Sequence, residues 1–265
     1  MFDPERLSRR ALARGVERLC VEHEPGCPQR HPWETARVVA IRALIGSLPF
    51  EPSSVLDVGC GDGYVIGELQ RTFGFSEVFA YDPHHPRPGR LRRSGVRVVR
   101  DLRELERRRV DAVLLLDVLE HVEDPAALLA RLATDFLAED GSVLVTVPAF
   151  QALYGQHDRD LQHQRRYTRR EIVQVAEAAG LEVLDAGYLF ASLLAPRAAH
   201  VLWERITEPR ALRQPLGAGH WHAPRSVTRA IHQLLCWDNR LCLGAGRRGL
   251  SLPGLSAWLI CRRPS

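Results

Sequence analysis

Between residues 55 and 188 short, almost wholly apolar runs alternate with segments of helical periodicity. Val55-Leu56-Asp57-Val58 is a buried-strand run ending at Gly59, and the helix after it carries Val65, Ile66, Leu69 and Phe73 on one face. Val78 to Tyr81 is a second strand, stopped by Asp82-Pro83, and Val96 to Val99 a third. Ala112 to Leu116 is a fourth, and so continuous an apolar run suits a strand covered on both faces. Asp124 N-caps the next helix, with Pro125 in its first turn and Leu128, Leu129, Leu132 and Phe136 at helical spacing. Glu139-Asp140-Gly141 turns the chain into a fifth strand, Val143 to Val147. Thr168 and Glu171 form a capping box for a helix that Gly180 ends, and Leu181 to Tyr188 is the sixth strand.

Two additions flank this pattern. Residues 1 to 50 read as a helical cap, with Thr35 as N-cap and Val38, Ile41, Leu44, Ile45 and Leu48 on one face. Residues 189 to 253 read as an insertion with two apolar helical patterns, Leu193 to Ile206 and Val227 to Leu243, before a last strand near Ser256 to Cys261. The expected fold is therefore α/β: a doubly wound, mostly parallel seven-stranded sheet, Rossmann-like, with helices on both faces. Its parts are an N-terminal helical cap (1–50), a ligand-binding core (51–190), a helical insertion or lid (189–253), and the last core strand and tail (254–265). A chain of 265 residues with 45% hydrophobic and 26% charged residues excludes a disordered or fibrous protein.

The glycine loop after the first strand, Gly59-Cys60-Gly61-Asp62-Gly63, stands where parallel sheets bind ligands, beyond the strand ends. Its glycines let the backbone approach a ligand closely, and the helix behind it presents free N–H groups. Asp82 follows at the end of strand two, placed to accept the two hydroxyls of a ribose. A dinucleotide loop would read G-x-G-x-x-G, whereas Tyr64 stands at the sixth position here. Asp57 and Asp62 beside the glycines would repel a pyrophosphate but favour a cationic ligand.

At these residues the sequence resembles the class I S-adenosylmethionine-dependent methyltransferases of the bacterial small-molecule type. The resemblance spans roughly residues 35 to 190. It rests on the loop Asp57 to Gly63, on Asp82, on Asp101 after strand three, and on Asp117-Val118-Leu119-Glu120-His121-Val122 after strand four. It implies S-adenosylmethionine as cofactor and S-adenosylhomocysteine as product. The implied cofactor-binding residues are Asp57, Gly59, Cys60, Gly61, Asp82, Pro83, Asp101, Leu102, Asp117 and Val118, with Gly59 and Gly61 lining the methionine portion, Asp82 holding the ribose, Asp101 and Leu102 at the adenine edge, and Asp117 and Val118 near the sulfonium. A non-catalytic binder of the same cofactor and a nucleotide-dependent oxidoreductase are the alternatives.

The acceptor side is expected in the long loop after strand five. Residues 157 to 168 read H-D-x-x-L-x-H-x-R-R-Y-T, resembling a signature of one bacterial subset of these enzymes. His157 with Asp158 is the candidate general base for a hydroxyl acceptor; alternatively, His157, His163 and Arg166 form a hydrogen-bonded scaffold for the loop. The expected partner is a small-molecule acceptor, with O-methylation favoured and a hydrophobic or lipid-linked molecule suggested by the apolar insertion.

Charge bears on other partners. All 36 basic residues are arginine, yet residues 1–191 carry 25 Arg against 29 acids, so codon bias explains most of them. Residues 192–265 carry 11 Arg against Glu204, Glu208 and Asp238, a net +8 beside apolar helices. That suggests peripheral membrane contact through residues 189–253, with a homodimer interface or packing on the core as the alternatives. The run from Arg87 to Arg109 has ten Arg but no interleaved aromatics; it reads as a solvated helix face, and no nucleic-acid partner is expected. Cys20, His23, Cys27 and His31 are zinc-competent in type, although an exposed turn accounts for them equally. A polar N-terminus and six scattered cysteines predict a cytoplasmic protein with reduced thiols.

Overall fold

In the computed structural model, residues 29–83, 91, 94–105, 108–207 and 221–264 are described. Helix α1 (Pro32–Ile45) leads into strand β1 (Ser54–Val58), helix α2 (Tyr64–Phe73) and strands β2 (Glu77–Tyr81), β3 (Arg97–Val99) and β4 (Val110–Leu116). Helix α3 (Pro125–Phe136), strand β5 (Leu137–Pro148), the short helix α4 (Gln156–Asp160), helix α5 (Arg169–Ala178) and strand β6 (Glu182–Leu189) follow. Helices α6 (Leu194–Ile206) and α7 (Arg225–Gly246) precede the last strand, β7 (Ser256–Arg262). The seven strands form one sheet in the order β3-β2-β1-β4-β5-β7-β6. Every pairing is parallel except those of β7, which runs antiparallel to β5 and to β6. The order reverses between β1 and β4, and a crevice opens there at the carboxyl ends of the strands.

Alternation along the strands divides the interior into two layers. Leu56, Val58, Val113, Leu115, Val143 and Val145 face α3 and α5, meeting Leu129, Leu132, Ile172 and Ala176. Val55, Ala112, Leu114 and Leu144 face the other way, onto Ile41, Leu44 and Ile45 of α1, Ile66 and Leu69 of α2, and Leu235 of α7. Each fully buried Leu or Ile contributes about 1.5–3 kcal/mol, so both faces stabilise the sheet.

Local details differ from the expectation at four places. Helix α1 begins at Pro32, three residues before Thr35, because His31 is its N-cap: the imidazole Nδ1 accepts from the Trp33 N–H, and Pro32 supplies a preset φ. Strand β5 starts at Leu137, where Leu137 pairs with Val110 before the register shifts, so Glu139 and Asp140 lie within a strand. From Arg97 on, the described part of the arginine run is strand β3 and a 3-10 turn, Leu102–Leu105, where Arg97 and Arg108 lie over the Phe79 ring; Arg87, Arg90, Arg92, Arg93 and Arg107 lie outside the described residues. Two of the tail arginines are structural: Arg197 of α6 donates to the Leu153 carbonyl and Arg205 to the Ala152 carbonyl.

The insertion is clamped at its base. Phe190, in the left-handed region (φ 61°), donates its N–H to the buried Asn239 Oδ1 at 2.9 Å, and the Ser192 N–H and hydroxyl both donate to Asp238. Its outer surface leaves Leu202, Trp203, Ile206, Leu234, Trp237 and Leu241 exposed. No described helix is long and apolar enough to cross a membrane. The described cysteines, Cys60, Cys236, Cys242 and Cys261, are free thiols. Cys20, His23 and Cys27 lie outside the described residues.

Candidate functional site

Strand β1 delivers the glycine loop to the crevice, and Gly59, Gly61 and Gly63 all have positive φ (81°, 55° and 75°), which an L side chain rarely tolerates. The Gly59 and Cys60 N–H groups donate to the Tyr81 carbonyl, pinning the loop to the end of β2. A side chain at Gly59 would collide with Val118, whereas one at Gly61 would project into open space. That open space belongs to the main cavity among the described residues, about 510 Å³.

Carboxylates surround it. Asp57 is buried, and its Oδ1 has no hydrogen-bond partner. Burial pushes its carboxyl up to about 7, against the nearby Arg37 and with Asp82 adding to the rise. Asp82 accepts from the Gly61 N–H at 2.9 Å. Asp117, in the left-handed region (φ 58°), accepts from the Thr146 hydroxyl at 3.0 Å and forms an ion pair with Arg37 at 2.9 Å. Asp62 is engaged by Arg30, whose guanidinium stacks 3.8 Å from the Tyr64 ring centroid, so its charge is compensated within the protein.

The predicted cofactor residues Asp57, Gly59, Cys60, Gly61, Asp82, Pro83, Asp117 and Val118 therefore share one cavity wall. Asp101 and Leu102 do not line it. Asp101 is exposed and accepts from the Arg103 N–H, while Leu102 packs against the core. His31 lines the cavity as a helix cap, edge-on to Trp221. Trp33 and Arg37 of α1 are wall residues that the motifs did not disclose. Their i, i+4 spacing beside the apolar stripe was the available signal.

Across the cavity stand His157, Leu161, His163 and Arg166 of the loop after β5, with Leu193, Arg197, Ile231 and Leu235 from the insertion and Leu255 before β7. The expected pairing of His157 with Asp158 is not formed. Asp158 is fully buried and instead accepts from His163 Nδ1 (2.9 Å), Arg166 Nε (2.7 Å), Arg197 Nη2 (2.7 Å) and the Gly155 N–H (2.9 Å). Burial alone would raise this carboxyl, but the hydrogen bonds from His163 and Arg166 hold it far below the usual range. The scaffold alternative thus describes Asp158, His163 and Arg166. His157 stays outside that hydrogen-bonded set. Burial, reinforced by Arg197, brings its imidazole down to about 4, so it is neutral at pH 7.

The turn after β4, Leu119–His121, faces the same loop and is strapped to it. The Tyr167 hydroxyl donates to the Leu119 carbonyl, the Gln164 N–H to the Glu120 carbonyl and the Gln164 amide to the His121 carbonyl. Both side chains are buried and line the cavity. Burial, with Asp117 adding, pushes the Glu120 carboxyl well up; burial and His163 bring the His121 imidazole down to about 4.

Residues 31–186 match the family described as "Methyltransferase domain". The ubiquinone biosynthesis O-methyltransferase of Xylella fastidiosa (strain 9a5c) is 30% identical over 113 residues, which is 40% of this chain and 46% of that protein. The chain thus matches less than half the length of that relative. Among solved structures, the plantazolicin methyltransferase BamL, in complex with a triazolic desmethylPZN analog and SAH, superposes with a TM-score of 0.53 at 14% identity, covering 88% of this chain and 86% of that one. A putative methyltransferase in complex with the Haloferax volcanii Trm112 activator gives 0.51 at 17% identity, over 88% and 95% of the two chains. These likenesses establish the fold.

Proposed function

The chain belongs to the class I S-adenosylmethionine-dependent methyltransferases, and from that premise we propose that it methylates a hydroxyl oxygen of a small, largely apolar acceptor. The carrying observation is the cavity itself, which runs from the glycine loop to a wall formed by Leu161, Leu193, Ile231, Leu235 and Leu255. That wall offers apolar surface in the cavity that His157 also lines. Its two arginines, Arg166 and Arg197, are already held by Asp158 and by the Ala149 and Leu153 carbonyls, so they do not demand an anionic acceptor. The relative with matching sequence is, by its own name, an O-methyltransferase.

S-adenosylmethionine suits the residues on the near wall. Asp57 offers an oxygen without a partner, Gly61 faces open space, and Asp82 stands at the end of β2. When bound, it supplies a methyl group activated by the sulfonium. The chain's own residues provide alignment and dryness. Arg37 holds Asp117 in place, and Trp33, Trp221 and Leu235 exclude water; such positioning supplies up to about 7–11 kcal/mol. His157, a neutral imidazole without its carboxylate partner, is a weak base. We assign it the acceptance of a hydrogen bond from the acceptor hydroxyl.

The test is S-adenosylhomocysteine formation with matched alkyl-substituted acceptors: a phenol, an aniline and a benzoate. The phenol is expected to turn over with kcat/KM at least tenfold above the others, and His157→Ala to raise its KM without changing S-adenosylmethionine affinity. Preference for the aniline or the benzoate overturns the reading.

A further inference from the structure

We propose that Glu120, His121 and His163 bind a divalent cation of the zinc class in the wall of the cavity. Ligand atoms of the three side chains all lie within 4.8 Å of one another, and His163 Nε2 is 3.9 Å from Glu120 Oε1. All three are buried or nearly so: Glu120 is 0% and His121 2% exposed, and the His163 side chain 8%. The Glu120 carboxylate is met by no side-chain hydrogen bond, only by its own backbone, and the His121 ring only by the Gln162 backbone. So sparsely satisfied a buried carboxylate beside two imidazoles is costly in a folded protein, and a single cation placed among them offsets that cost.

The surroundings are those of a ligand set. His163 Nδ1 is held by Asp158 at 2.9 Å, which directs the Nε2 lone pair toward Glu120 and His121; a carboxylate behind a ligating imidazole is the usual support for such a site. Glu120 and His121 are held from the backbone side by Gln164, on the same loop as His163, so the two halves of the site are tied together. Two imidazoles and one carboxylate suit zinc and its neighbours better than calcium or magnesium, which prefer all-oxygen ligation. Three protein ligands leave a fourth position, and all three residues line the cavity. The fourth ligand is an oxygen species from the cavity; that it is the acceptor hydroxyl rests on the reading above, whereas occupancy of the site does not.

The experiment uses the full chain, stripped with a chelator and titrated with Zn2+ and, separately, with Co2+ as a spectroscopic probe. One tight equivalent per chain is expected, with the visible bands of four- or five-coordinate Co2+. Glu120→Gln and His163→Gln are expected to lose this uptake, while Cys20→Ser with Cys27→Ser keeps it. No uptake by the wild-type chain, or uptake lost only in the cysteine variant, overturns the proposal. Calorimetry of the stripped protein with S-adenosylmethionine reads the cofactor site separately. Cofactor binding without metal uptake defeats the cation site alone, and metal uptake without cofactor binding defeats the transfer reading alone.

Discussion

Asp57 occupies a position where burial and chemistry conflict. Held up to about 7 in the folded protein, it keeps a proton that the unfolded chain would release near 3.8. Between those values the folded state binds more protons than the unfolded one, so its stability falls as pH rises from about 4 to about 7. A cationic ligand reverses the preference by favouring the carboxylate. Affinity for S-adenosylmethionine is therefore expected to rise on the order of tenfold between pH 6 and pH 8, and Asp57→Asn to flatten that dependence. Calorimetry at the two pH values checks it, and an affinity that falls with pH contradicts it. The acids of the glycine loop were legible in the sequence, but their partners were not. Arg30, just before α1, neutralises Asp62 from 32 positions earlier, and Arg37 of α1 meets Asp117 from 80 positions earlier, pairings that local spacing does not encode. In the same way, the adjacent His157 and Asp158 suggest a dyad. The turn of α4 instead directs Asp158 inward to His163, Arg166 and Arg197.

At the level of elements, periodicity read well wherever an element is buried on a continuous face. All four helices facing the two core layers from α1 to α5, and six of the seven strands within about two residues, follow their apolar patterns. Strand β5 exceeded its pattern because Glu139 and Asp140 are tolerated on an exposed extension. Helix α1 began early because a histidine served as cap where Thr35 was the better-known choice. The insertion was visible as two amphipathic helices, but its anchoring was not: it depends on Asn239, the chain's single asparagine, accepting from Phe190 at the start of the insertion. Asn239→Ala leaves that buried N–H unpaired and is expected to cost about 1–3 kcal/mol. Urea unfolding is the check, and an unchanged midpoint would show that the clamp contributes nothing.

On the scale of the molecule, the strand order places the glycine loop, the turn after β4 and the loop after β5 side by side at one edge of the sheet. Helix α1 and the insertion close that edge from either side, so residues far apart in the chain, from Trp33 to Leu255, share one cavity. The alternation of strands and helices foretold the edge. It could not foretell which side chains of the flanking additions reach over it, because that depends on how the additions pack. Binding of S-adenosylmethionine at this edge is tested most directly by isothermal titration of the purified chain. One equivalent each of S-adenosylmethionine and S-adenosylhomocysteine is expected to bind, both weakened by Asp82→Ala, with no heat from NAD. Binding of NAD in place of both would contradict the account.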